Sequence, residues 1–195
     1  MLNQKIVTAA LVVLGMFTAS GWTSLAQSGQ STTGQGQSTT SPNQNALSAS
    51  DKQFVTEAAQ GGIAEVQLGQ LALRRAASNE VKQFGQRMVR DHTQANNQLK
   101  QLAAQKGITL PKDMGDQNKA VMANLSKLSG ANLDRAYANH MLQDHIKDVS
   151  LFQREAKEGQ DQDLKAWAAK TLPTLQEHLR LVRSITGNTA GITSH

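Results

Sequence analysis

The chain has no cysteine. A disulfide scaffold, a thiolate metal site and a cysteine-linked lipid anchor are therefore excluded. Aromatic residues make up 4% and there are three prolines, so the composition, rich in Ala, Leu and Gln, suits helices better than strands. Long apolar runs are also missing. The hydrophobic stretch Ile6 to Phe17 is shorter than the ~20 residues that span a bilayer. No basic patch is interleaved with aromatics. Arg74, Arg75, Lys82, Arg87, Arg90, Arg180 and Arg183 are scattered among acids and glutamines, as on a solvated surface, which argues against a nucleic-acid partner. No serine sits in a glycine elbow, so a hydrolase is disfavoured.

What is present begins with an export signal over residues 1–26. Lys5 supplies the positive start, Ile6 to Phe17 the apolar segment, and Ser24-Leu25-Ala26 the small residues before cleavage. Removing Lys5 lowers the formal charge from +5 to +4 (19 − 15). The mature protein is expected in the periplasm or outside a bacterial cell, without an integral membrane segment. Outer-membrane association and an envelope partner remain open. Residues 27–49 are mostly Gln, Ser, Thr and Gly with almost no apolar side chains, too polar to offset their ordering entropy, and read as a flexible linker. The folded domain is expected over 50–186, with a loose tail at 187–195.

That domain reads as all-α, an antiparallel bundle of four long helices. The first runs from about Asp51 to Ala77, started by a capping box at Ser50 and Gln53. Its inward stripe contains Phe54, Ala58, Gly61, Glu65 and Leu68, with Glu57 on the flank. The second follows a turn at Ser78-Asn79, ends near Gly107, and carries Val81, Phe84, Met88, His92 and Leu99 inward. Asp91 falls at its edge. Leu110-Pro111 and Gly115 break the chain before a short amphipathic helix from Asp116. The third long helix spans about Leu133 to Ala156. Taking Leu133 and Leu151 as its inward direction puts Asp144 about 20° away, His140 at about 340°, Asp148 at about 60° and His145 farther round at about 120°. The fourth runs from about Asp161 to Ile185, with Leu164, Trp167, Thr171, Leu175 and His178 inward and a kink expected at Pro173.

Each long helix thus places an acid or an imidazole on its apolar stripe: Glu65, His92, Asp144 and His178. Glu65 and His92 lie equally far from the turn that joins their helices, and Asp144 and His178 nearly so. All four are expected in one mid-bundle layer. Two imidazoles and two carboxylates suit Zn, Mn, Fe or Cu, with His140 and Asp148 as further ligands or supports. The alternative is a metal-free network of His–carboxylate hydrogen bonds that fixes helix register in a structural or stress-related envelope module.

The stretches QFGQRMVRDHTQAN (83–96), NLDRAYANHMLQDHIKDV (132–149) and WAAKTLPTLQEHLRLV (167–182) resemble an exported bacterial family of unknown function, domain of unknown function 4142. Its members are grouped with ferritin-like proteins and often labelled outer membrane proteins. The resemblance implies a ferritin-like bundle and no established activity. Ferritin-like di-iron sites use Glu-x-x-His pairs. Here Val89, Tyr137, Leu142 and Leu175 stand three residues before the core-region histidines, which argues against a ferroxidase centre. The connection between the second and third long helices is compatible with a crossover or with an up-and-down bundle.

Overall fold

The computed structural model describes residues 47–191, with side chains through Gly187. The export signal, nearly all of the linker, and His195 lie outside the described residues. Five helices follow in order: α1 Ala49–Arg75, α2 Asn79–Lys106, α3 Gly115–Leu125, α4 Gly130–Glu158 and α5 Gln162–Gly191. None is long and apolar enough to cross a membrane.

Local chemistry sets the ends. Ser48, not Ser50, caps α1: its hydroxyl accepts from the Asp51 amide, while Gln53 turns to Glu57. The helix therefore starts two residues earlier than the Ser50 reading implies. Ser78 caps α2 through the amides of Glu80 and Val81, and Gly107, at φ 66°, ends it in the left-handed conformation that glycine adopts without strain. α5 passes through Pro173 and continues to Gly191, so helix replaces most of the expected loose tail.

Two hairpins, α1–α2 and α4–α5, pack side by side, α1 against α4 and α2 against α5. Two buried aspartates tie them together. Asp51, near the start of α1, accepts the amides of Gln160 and Asp161 in the α4–α5 turn. Asp134, near the start of α4, accepts the amides of Ala77 and Ser78 in the α1–α2 turn. Each hairpin thus satisfies the other's turn. Lys106 at the end of α2 also bridges Asp161 and Asp163 at the start of α5.

These contacts fix the topology. The start of α1 meets the end of α4, and the end of α1 meets the start of α4, so those helices are antiparallel. By the same reasoning so are α2 and α5. The chain leaves α2 at one end of the bundle and enters α4 at the other. The connection is therefore a full-length crossover, with α3 laid along α1 from Gln60, beside Gly115, to Arg75, which donates to the Ser126 carbonyl. This is the single-crossover arrangement of ferritin-like bundles.

The interior falls into two apolar blocks. One holds Leu68, Val81, Phe84, Met88, Leu133, Tyr137, Met141 and Val182. The other holds Phe54, Leu99, Phe152, Leu164, Trp167 and Leu175. Within the α1–α2 hairpin the backbones come close at Gly69 and Gly85, where a Cβ on either would stand under 3 Å from the other's carbonyl oxygen. Gly61, expected on the inward stripe, faces open space instead.

Candidate metal centre

Between the apolar blocks lies a polar layer. α1 contributes Glu65, α2 His92, α4 His145 and α5 His178, and all four are at most 5% exposed. The rings of His92, His145 and His178 stand 5.3 to 5.8 Å apart, centroid to centroid. One nitrogen of each lies within 4.8 Å of the other two.

Hydrogen-bond partners decide which nitrogens are free. His145 Nδ1 lies 3.0 Å from the Met141 carbonyl, which can only accept, so Nδ1 carries the proton and Nε2 a lone pair. His178 Nε2 lies 2.9 Å from Asp91 Oδ2, so it donates and leaves the lone pair on Nδ1. Those two lone pairs face each other at 3.3 Å. His92 Nδ1 lies 2.8 Å from Glu65 Oε2, and its buried Nε2 has no hydrogen-bond partner. Glu65 Oε1 is also without one, although it sits 3.4 Å from His145 Nε2. Each imidazole therefore holds one nitrogen against an acceptor and offers the other.

Electrostatics agree with neutral imidazoles. Burial lowers the pKa of His92. Burial, with His92 and His178 close by, takes His145 well below its usual value. His178 is pushed down to about 4 by burial and by His92, against the pull of Asp91. Glu65 is raised well above the ordinary carboxylate range by burial and then by Asp144. Neutral histidines are the form that binds metal.

A second group of donors adjoins the first. Carboxylate oxygens of Glu65, Asp144 and Asp148 lie within 4.8 Å of one another. Burial, Glu65 and Asp144 together raise the Asp148 pKa well above normal. His140, one turn before Asp144, is half-buried, and its shielded Nε2 has no partner. A cavity of about 20 Å³, lined by Gly62, Glu65, His92, Asp148, Trp167 and Thr171, leaves room for about one water beside both groups.

Of the expected residues, Glu65, His92 and His178 stand in the buried layer. Asp144, Asp148 and His140 sit at its half-buried edge on α4. Asp144 is thus not the α4 member of the central layer; His145, fully buried, takes that place. Glu57 is exposed and bonded to Gln53. Asp91, at the edge of the α2 stripe by its spacing, is the group that orients His178. The spacing Tyr137, Met141, His145, Phe152, at i, i+4, i+8 and i+15, carried the signal for His145.

The family model for the domain of unknown function DUF4142 matches residues 36–185. The chain belongs to that family. DUF4142 carries no stated activity, and no curated protein matches the chain. Two solved structures share its fold. A DUF305 fragment from Deinococcus radiodurans is 15% identical with a TM-score of 0.64, over 73% of this chain and 98% of that one. A DUF305 protein from Streptomyces coelicolor, with "secreted protein" in its name, is 14% identical with a TM-score of 0.62, over 72% and 94%.

Proposed function

We propose that this DUF4142 protein is an exported, cell-envelope bundle that binds a first-row transition metal ion through His92, His145 and His178, with Glu65 holding His92 beside them. The observation that carries the reading is the set of acceptors without a donor: His92 Nε2, Glu65 Oε1, and the opposed lone pairs of His145 and His178. A single proton relieves one such opposition and leaves the others. A cation satisfies them together. The spacing fits as well. Two nitrogens each about 2.05 Å from a tetrahedral ion stand about 3.3 Å apart, the separation of His145 Nε2 and His178 Nδ1.

The supports around the ligands follow the same logic. Glu65, the Met141 carbonyl and Asp91 each fix one imidazole's tautomer from behind, an arrangement that raises ligand basicity. Imidazole-rich donor sets favour Zn, Cu and Fe over Mn. The export signal expected over residues 1–26 supports an envelope location.

Elemental analysis of tag-free protein, after incubation with Zn, Mn, Fe or Cu and removal of excess ion, tests the reading. The expected result is close to one transition ion per chain at the imidazole layer, lost in His145→Ala and His92→Ala. Absence of bound metal, with thermal melting indifferent to chelator, would leave the layer as a register-setting hydrogen-bond network in a structural envelope module.

A further inference from the structure

The donors in mid-bundle divide into two groups that one residue links. Among the described residues, the close-donor sets are His92, His145 and His178 on one side, and Glu65, Asp144 and Asp148 on the other. Ligands of one transition ion, each about 2.0–2.2 Å from it, lie at most about 4.4 Å apart. The two aspartates do not join the imidazoles in one such set. Glu65 touches both, through His92 and His145 on one side and the aspartates on the other.

We infer that Glu65, Asp144 and Asp148 form a second cation site, for a hard divalent ion of the Mn²⁺ class, bridged to the imidazole centre by Glu65. Acidic clusters on a surface are common without an ion, but this one has an interior member. Glu65 is 2% exposed, its Oε1 has no donor, and its carboxyl lies within hydrogen-bond reach of the Asp148 carboxyl, so that only a shared proton or a cation can stand between two acceptors. No lysine or arginine pairs with any of the three carboxylates among the described residues. His140, on the same edge of α4 one turn before Asp144, adds a shielded Nε2 without a partner. All-oxygen sets with open, water-accessible positions select hard cations over the soft, imidazole-seeking ones. Asp144 and Asp148 are half-buried, so the ion approaches from the α4 edge, and the cavity beside Asp148 can hold a coordinated water. The inference rests on the imidazole reading only through the bridging role of Glu65.

The test fills the imidazole layer with one equivalent of Zn²⁺, titrates Mn²⁺, and follows free Mn²⁺ by electron paramagnetic resonance. Wild type should take up one Mn²⁺ per chain with Zn²⁺ retained. The isosteric pair Asp144→Asn and Asp148→Asn should weaken Mn²⁺ binding at least about 100-fold, in line with losing two charged ligands, and leave Zn²⁺ at one per chain. Equal Mn²⁺ uptake by both proteins, or none by wild type, overturns the site. Should Zn²⁺ fail to bind, the imidazole reading falls, and Mn²⁺ titration of metal-free wild type against the variant still decides the carboxylate site. Asp144→Asn alone serves if the double variant does not fold.

Discussion

Replacing Glu65 by Gln separates a metal centre from a structural network. The amide keeps the size and can still accept from His92 Nδ1, 2.8 Å from Oε2. Its NH₂ group takes the place of Oε1 and faces the His145 Nε2 lone pair, now 3.4 Å away from an acceptor. A buried carboxylate whose pKa burial drives well upward becomes a neutral donor. The metal-free variant should therefore be more stable than metal-free wild type, by about 1–3 kcal/mol, the usual cost of an unsatisfied buried polar group. Metal should behave oppositely. An ion at 100 times its dissociation constant stabilises the folded state by about 2.7 kcal/mol, which in a domain of this size raises Tm by about 5–11 °C. A variant whose affinity falls about 100-fold gains only about 0.4 kcal/mol at the same concentration, a shift of about 1–2 °C. Circular dichroism melts of both proteins, with EDTA and with Zn²⁺, read all four states. A metal-free variant several kcal/mol less stable than wild type would refute the reasoning, as would a variant that keeps the full Zn²⁺ shift.

Asp91→Asn should leave the fold intact and weaken metal binding about 10–100-fold, because the amide no longer holds His178 as firmly in the tautomer with a free Nδ1; competition with a chromophoric chelator measures it. Asp134→Ala removes the acceptor of the partly buried amides of Ala77 and Ser78 and should cost about 1–3 kcal/mol in urea unfolding, with metal affinity unchanged. Glu155 is raised to about 7 by burial and then by Asp51 and Asp161. A raised folded-state pKa means stability that is complete below the unfolded value of about 4.5 and is lost as pH rises through about 7. Glu155→Gln should therefore gain on the order of 1 kcal/mol relative to wild type between pH 5 and pH 8, discounted for the carboxyl's partial solvation; denaturant midpoints at the two pH values check it.

The long helices were legible because their apolar periodicity and glycine and serine punctuation agree. Counting residues from the Ser78-Asn79 turn placed Glu65 opposite His92, and the two meet at 2.8 Å. The orientation of α4 was not legible in the same way. The direction from Leu133 to Leu151 points at Asp144, but the buried residues Leu133, Asp134, Tyr137, Ala138, Met141, His145, Phe152 and Glu155 centre about 80° from Leu133. α4 packs on both α5 and α1, and the face between two neighbours is wider than a seam drawn from two leucines. That rotation exchanges Asp144 for His145. The crossover was equally hidden, since a connection of this length permits either topology. What decides it are Asp51 and Asp134, whose partners lie more than 50 residues away in sequence. Neither carboxylate shows in a periodicity.

A bundle of this kind has no need of a polar layer to hold its shape. Two apolar blocks flank it, and reciprocal capping by Asp51 and Asp134 already fixes the hairpins against each other. Register could be set by one buried hydrogen-bonded pair. Instead four helices each contribute a titratable group, three imidazoles present lone pairs inward, and three carboxylates crowd beside them without a lysine or arginine partner among the described residues. Replacing such groups with well-packed apolar side chains is often neutral or stabilising, so folding alone gives no reason to keep them. If the layer is a metal centre as proposed, the arrangement costs stability when empty and should recover it when a cation enters. On the proposed reading, the stability of the domain should therefore follow metal concentration.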